Sequence, residues 1–174
     1  GILGPSRVFA SEIEEGPSVS TYSNARLFMP AQQVINGGVR IEDGLIVEVG
    51  PSVKPGEDLD GAWLCPGFVD AGCTVGLIEI GLEAATRDDS IDGEAITPDA
   101  RVWDGYNPAS SVIPITRVEG LTHVLVHPSP GRLVSGQAAL FRTTGDTVAQ
   151  AMEDLPSMLC INMGRAGLGG GGPS

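Results

Sequence analysis

Apolar and polar residues alternate most cleanly between Gly37 and Gly50, in GGVRIEDGLIVEVG. Val39 and Ile41 flank Arg40. Leu45, Val47 and Val49 alternate with Ile46 and Glu48, and Glu42-Asp43-Gly44 supplies a turn between the runs. Two alternating runs joined by a Gly-containing turn predict a β-hairpin. Upstream, NARLF (Asn24 to Phe28) predicts a short strand. Residues 1–23 show little periodicity and read as an arm. PSVKPGEDLDG is a polar loop, and AWLCPGFVDAG is a strand region interrupted by Pro66-Gly67. Residues 24–65 therefore predict a small antiparallel sheet. A few short strands bury too little apolar area by themselves, so this sheet needs a partner surface.

The pattern then changes. Residues 77–111 alternate poorly and are rich in Asp, Gly and Pro, which predicts a long loop. Loops of that length in compact domains are functional or disordered as a rule. Trp103 and Tyr106 favour an ordered one, since either ring can anchor it to a core. SVIPITRVEG predicts a short helix with Ser110 or Ser111 as its N-cap, Pro114 in its first turn and Gly120 just past its end. THVLVHP is a β-branched run closed by a proline, and so a strand. SPGRLVSGQ reads as a glycine-punctuated loop, AALFRT as a strand, DTVAQAMED as a weak helix and SMLCINMG as a last strand. GRAGLGGGGPS has the composition of a linker. Helix, strand, loop and strand after a sheet predict an α/β chain with a β-rich N-terminal part. The divisions are an arm (1–23), a β-sheet part (24–65), an α/β part (66–163) and a Gly-rich tail (164–174).

Composition narrows the function classes. With 41% hydrophobic but only 5% aromatic residues, the core must be built from Val, Ile, Leu and Ala. The 25 glycines and 13 prolines favour turns and short helices. A net charge of −12 repels phosphate backbones and anionic lipid, which argues against nucleic-acid and membrane partners. No apolar run approaches the roughly 18 residues needed to span a bilayer. GILGPSRVFA lacks the basic start and long apolar stretch of an intact signal peptide. A soluble protein is expected, cytoplasmic or, after processing, periplasmic or secreted. Cys65, Cys73 and Cys160 form neither a disulfide framework nor a zinc-finger spacing.

The hairpin, the polar loop and then AWLCPGFVDAGCTVG, at this spacing, resemble the amidohydrolase superfamily, and most of all its imidazolonepropionase-like branch. Members carry a PGFIDAHTH stretch about twenty residues after such a hairpin. The resemblance extends more loosely through GLIEIG, NPASSVIPITRVEGLTHVLVHP and GRLVSGQAAL. It implies a composite β-sandwich, shared with strands from the far C-terminus, plus the first strands of an incomplete (β/α)8 barrel that opens at the PGF strand. It also implies hydrolysis of amide-like or cyclic C–N bonds by water activated on one or two divalent metals at the barrel's C-terminal end.

Two departures follow. Matching PGFVDAGCTVG to the family motif sets Gly72 and Thr74 on the two histidine positions. Alternate strand residues share a face, which is how an HxH pair grips one ion. Glycine has no donor atom, and a hydroxyl is a poor ligand beside imidazole. No metal ligand is therefore expected from this chain, and a zinc-type metal only through residues outside it. In addition, about 110 residues follow Cys65, short of the roughly 200 a complete barrel needs. The expected partner is the remaining C-terminal part, or another chain, of the same barrel. A small-molecule substrate and a homo- or hetero-oligomer are further expectations.

The substrate-binding candidates are Asp70, Thr74, Glu79 and His127. Asp70, in the PGFVDA strand, can orient a neighbouring group or simply accept backbone N–H bonds at the strand end. Glu79, between Ile78 and Ile80, stands out from the charged set Glu79, Glu83, Arg87, Asp88 and Asp89. Such runs are usually solvated. His127 lies at the C-terminal end of its strand. His123 shares that strand, but four residues separate the two by about 13 Å, awkward for a single zinc. SPGRLVSGQ lacks the ending of a phosphate loop and reads as a turn. Cys73 as a nucleophile requires a base beside it. Three functions compete: a hydrolase portion, a metal-free binding or scaffold protein of the same fold, and a self-sufficient β-rich binding module.

Overall fold

A computed structural model describes residues 18–29, 33–53, 55–91 and 95–164. The chain divides into two compact units, residues 1–66 and 67–174. Both are β-rich, and the helices among the described residues are short. Most of the expected arm (residues 1–17) and most of the expected tail (residues 165–174) lie outside the described residues.

In the first unit β1 (Val19–Met29), β2 (Gln33–Glu42) and β3 (Leu45–Gly50) form an antiparallel meander. β4 (Glu57–Asp58) and β5 (Trp63–Leu64) add to the free side of β1 in parallel. The predicted hairpin is β2–β3. Its turn is Asp43-Gly44, both with positive φ (49° and 77°), the geometry a two-residue hairpin turn demands. β1 starts earlier than NARLF suggests. Asn24 (φ 54°) breaks the register between Tyr22 and Ala25. The residues beyond this bulge turn Ala25 and Leu27 into the core, where they are 1% and 2% exposed beside Val39.

In the second unit the sheet order is β6 (Phe68–Cys73), β7 (Leu121–Val126), β8 (Val134–Arg142), β9 (Met158–Ile161). The loop from Thr74, a 3-10 turn at Ala84–Thr86, α1 (Val102–Gly105) and α2 (Val112–Val118) connect β6 to β7, which run parallel. β8 returns antiparallel to β7, and β9, after α3 (Val148–Ala151), antiparallel to β8. In a (β/α)8 barrel every strand is parallel to its neighbours. Among the described residues only β6–α2–β7 follows that repeat; β8 and β9 depart from it.

Val124, Val126, Ala139 and Phe141, alternate residues on β7 and β8, meet Leu77, Val102, Tyr106 and Ile113 in one core. Tyr106 stacks on Phe141 with ring centroids 3.9 Å apart, so the long loop is anchored as its aromatic residue suggested. At α2 the capping is shared. Ser111 holds the N-cap position without a side-chain bond, and Ser110 Oγ accepts from the Val112 N–H.

Candidate functional site at the ends of β6 and β7

The parallel pairing of β6 and β7 brings their C-terminal ends together, the edge at which open α/β sheets and barrels place chemistry. Cys73 pairs with Val126, and the His127 N–H donates to the Cys73 carbonyl at 3.0 Å. The register slips between Asp70 and Cys73, so β6 is irregular at the motif itself. Asp70 Oδ1 accepts from the Gly72 N–H at 3.0 Å, a bond local to the strand end. The Thr74 carbonyl accepts from the Leu77 N–H at 3.0 Å, which turns the chain away from the sheet.

His127 stands next to Gly72. A Cβ at position 72 would lie 3.5 Å from both Cδ2 and Nε2 of the imidazole. Its Nδ1 is 2.9 Å from the Pro128 carbonyl oxygen, which can only accept, so Nδ1 carries a proton and, in the neutral imidazole, Nε2 holds the lone pair. Glu79 faces other partners. Its Oε1 accepts from Asn107 Nδ2 at 3.2 Å and its Oε2 from Ser111 Oγ at 3.5 Å, tying the loop to the approach of α2. His123 belongs to the other end of β7, where its Nε2 is 3.3 Å from a Glu153 carboxylate that also pairs with Arg142.

Two residues of the long loop matter more than their sequence context suggests. Asp89, taken with its neighbours as a solvated charge, is 2% exposed. Arg87 donates to both its oxygens (Nε to Oδ1 3.2 Å, an Nη to Oδ2 3.0 Å), and Ser129 Oγ donates as well. The Asp89 carbonyl also accepts from the Ser129 N–H at 2.7 Å. This clamp fixes the segment carrying His127 and Pro128. The Arg87 guanidinium holds the Asp89 carboxyl below its ordinary value, with Ser129 assisting, against the opposing effect of burial. The other residue is Tyr106. Among the described residues its buried hydroxyl has no hydrogen-bond partner, and burial pushes it up to about 12. Burial also pushes the Cys73 thiol up, with the Asp70 charge adding to it, which disfavours the thiolate a nucleophile needs.

The first unit holds an apolar groove of about 300 Å³ beside its core, lined by Leu27, Met29, Val39, Ile41, Ile46 and Leu64 among others. A polar cleft of about 30 Å³ beside Asp89, Ser135 and Pro128 has room for a water molecule.

A crystal structure of an amidohydrolase from Thermotoga maritima MSB8 is similar to this chain, with a TM-score of 0.68 and 26% identity over 81% of the chain. The chain is amidohydrolase-like. It spans 38% of the length of that Thermotoga chain. No protein-family model matches it, and a search of curated proteins finds no match.

Amidohydrolase-like motifs imply a divalent metal at the end of β6, and the residues there do not fit one. Gly72 offers no donor atom, Thr74 a hydroxyl only, and His127 brings one imidazole from β7. Among the described residues no group of three or more His, Cys, Asp or Glu is placed to hold a metal ion. No described helix is long and apolar enough to cross a membrane.

Proposed function

We propose that this chain is the N-terminal part of an amidohydrolase-like hydrolase, of the imidazolonepropionase-like branch, acting on amide-like or cyclic, non-peptide C–N bonds in a small molecule. The likeness to the Thermotoga amidohydrolase carries the reading, together with the PGFVDA strand whose end meets β7. The usual first ligands are replaced by Gly72 and Thr74. A zinc-type metal, if the whole protein holds one, is held by residues outside this chain. The rest of the protein, or a partner chain, completes the incomplete barrel and covers the apolar groove of the first sheet, forming the composite β-sandwich.

The experiment is metal analysis of the full-length protein, with turnover on a panel of amides, lactams and cyclic ureas. Turnover of any member supports a hydrolase. No turnover across the panel by a folded, full-length sample overturns it. The glycine at position 72 favours a second reading, an inactive binding or scaffold subunit of the same fold. That reading falls on detection of stoichiometric, tightly bound zinc or manganese together with turnover.

A further inference from the structure

Position 72 has no side chain, and His127, just past the end of the neighbouring strand, stands beside it. The imidazole is oriented by one hydrogen bond. Its Nδ1–H is committed to the Pro128 carbonyl (2.9 Å), which leaves Nε2 with a lone pair, and among the described residues no group hydrogen-bonds to Nε2. That atom is 3.5 Å from where a Cβ of residue 72 would stand. The segment behind it is fixed by the Asp89 clamp on Ser129 and by the His127 N–H on the Cys73 carbonyl. A neutral histidine held in one tautomer, with its basic nitrogen beside the side-chain-free position 72 at the C-terminal end of two parallel strands, is placed to accept a proton. The charged and titratable groups on the segments packed against it are Asp70 and Cys73 of β6, and Asp89 with its partner Arg87 on the loop.

We propose that His127 Nε2 is the general base of this strand end and activates water there without a metal. This rests on the hydrolase reading and gives that same site its chemistry. Nε2 takes a proton from a water molecule as the water oxygen bonds to the carbonyl carbon of the substrate. The C–N bond breaks as the imidazolium returns that proton to the leaving nitrogen. The products are a carboxylic acid and an amine, and the imidazole ends neutral, as it began. A larger side chain at position 72 would stand against Nε2, since a Cβ there already lies 3.5 Å from it.

Two measurements on the full-length protein test this. The first reads geometry alone, with zinc as the probe. Gly72→His, and the smaller Gly72→Cys, each place a donor beside His127 and are expected to bind zinc at least about tenfold more tightly than the wild type, since a chelating pair replaces a single imidazole. Adding His127→Gln is expected to abolish the gain. No gain in either variant, a gain that survives His127→Gln, or failure of both variants to fold overturns the juxtaposition. The second reads chemistry on the amide and lactam panel. Turnover is expected to survive chelation and to fall about 100-fold or more in His127→Gln, the range of a lost general base, while His123→Gln retains it. Turnover lost on chelation, or kept in His127→Gln, overturns the role of His127 and leaves the hydrolase reading standing. No turnover by the wild type on any substrate overturns both.

Discussion

Asp89 is a carboxylate taken out of water with its counter-charge attached. Arg87 is partly exposed, so the pair is worth less than a fully buried one. Asp89→Asn, which keeps the shape but loses the charge-assisted bonds, is expected to cost about 1–3 kcal/mol at neutral pH. The sign of its pH dependence follows from the depressed carboxyl. Unfolded, the group titrates near 3.8; folded, below it. The stabilisation is complete above 3.8 and fades as pH falls through the lower folded value, because the unfolded chain takes the proton first. Wild-type and Asp89→Asn stabilities, measured by denaturant titration, should therefore converge in acid below 3.8. A difference that stays constant to the lowest accessible pH contradicts the clamp.

Tyr106 makes the opposite case at the same scale. Its ring is needed against Phe141, whereas its hydroxyl is buried without a partner among the described residues. Tyr106→Phe removes an unpaired polar atom and keeps the ring, so it is expected to stabilise by about 1 kcal/mol. The folded hydroxyl titrates near 12 against an ordinary 10. Wild type should hold its stability below 10 and lose it as pH rises through 12, and the phenylalanine variant should lack that loss. Alkaline denaturation of the pair checks both claims.

Among the elements, the turn after β6 depends most on one residue. Gly76 has φ +81°, and a Cβ there would lie 2.7 Å from Tyr106 Cδ2. Gly76→Ala combines left-handed strain, about 1–2 kcal/mol, with overpacking of about 1–3 kcal/mol. A loss of roughly 3 kcal/mol is expected by thermal or denaturant unfolding. Gly72→Ala, whose Cβ would meet the His127 ring at ordinary contact distance, should cost far less.

The same elements explain what the residues disclose by themselves. The β2–β3 hairpin, α2, β7 and the helix at Thr147 follow from alternation, turn chemistry and caps within a few residues, so they are legible. The start of β1 is not. The Asn24 bulge changes which residues face inward, and a period-2 pattern read across it cancels. The first half of β8 is masked by Gly136, which looks like loop punctuation. In fact the loop at Ala100 approaches so closely that a Cβ would meet its carbonyl oxygen at 2.6 Å. At the candidate site, Gly72 and Thr74, on the positions where the resemblance sets histidines, are visible in the motif. That His127 sits beside Gly72 depends on β6–β7 register, a long-range pairing that local pattern does not encode. Asp89 was hidden for the same reason, since its partner Ser129 belongs to a distant segment.

For the whole molecule, two properties oppose each other. A net charge of −12 keeps copies apart. The first sheet, however, leaves Ile46 65%, Phe28 44% and Val49 39% exposed, and all three line its apolar groove. Exposed apolar surface of this kind marks an interaction site or an aggregation hazard. If the rest of the protein covers this face, as proposed, this chain alone should bind an apolar dye and self-associate. The association should grow with salt, because a Debye length of about 10 Å at 0.1 M shrinks to about 3 Å at 1 M and the repulsion is screened. Ile46→Lys should leave the unit folded, since its side chain contributes little buried area. It should also reduce both dye binding and self-association, and weaken capture of the separately expressed remainder. Light scattering at low and high salt, with and without that remainder, decides the matter. A chain that stays monomeric and dye-free at high salt has a sheet face that needs no cover, and the composite-sandwich proposal fails with it.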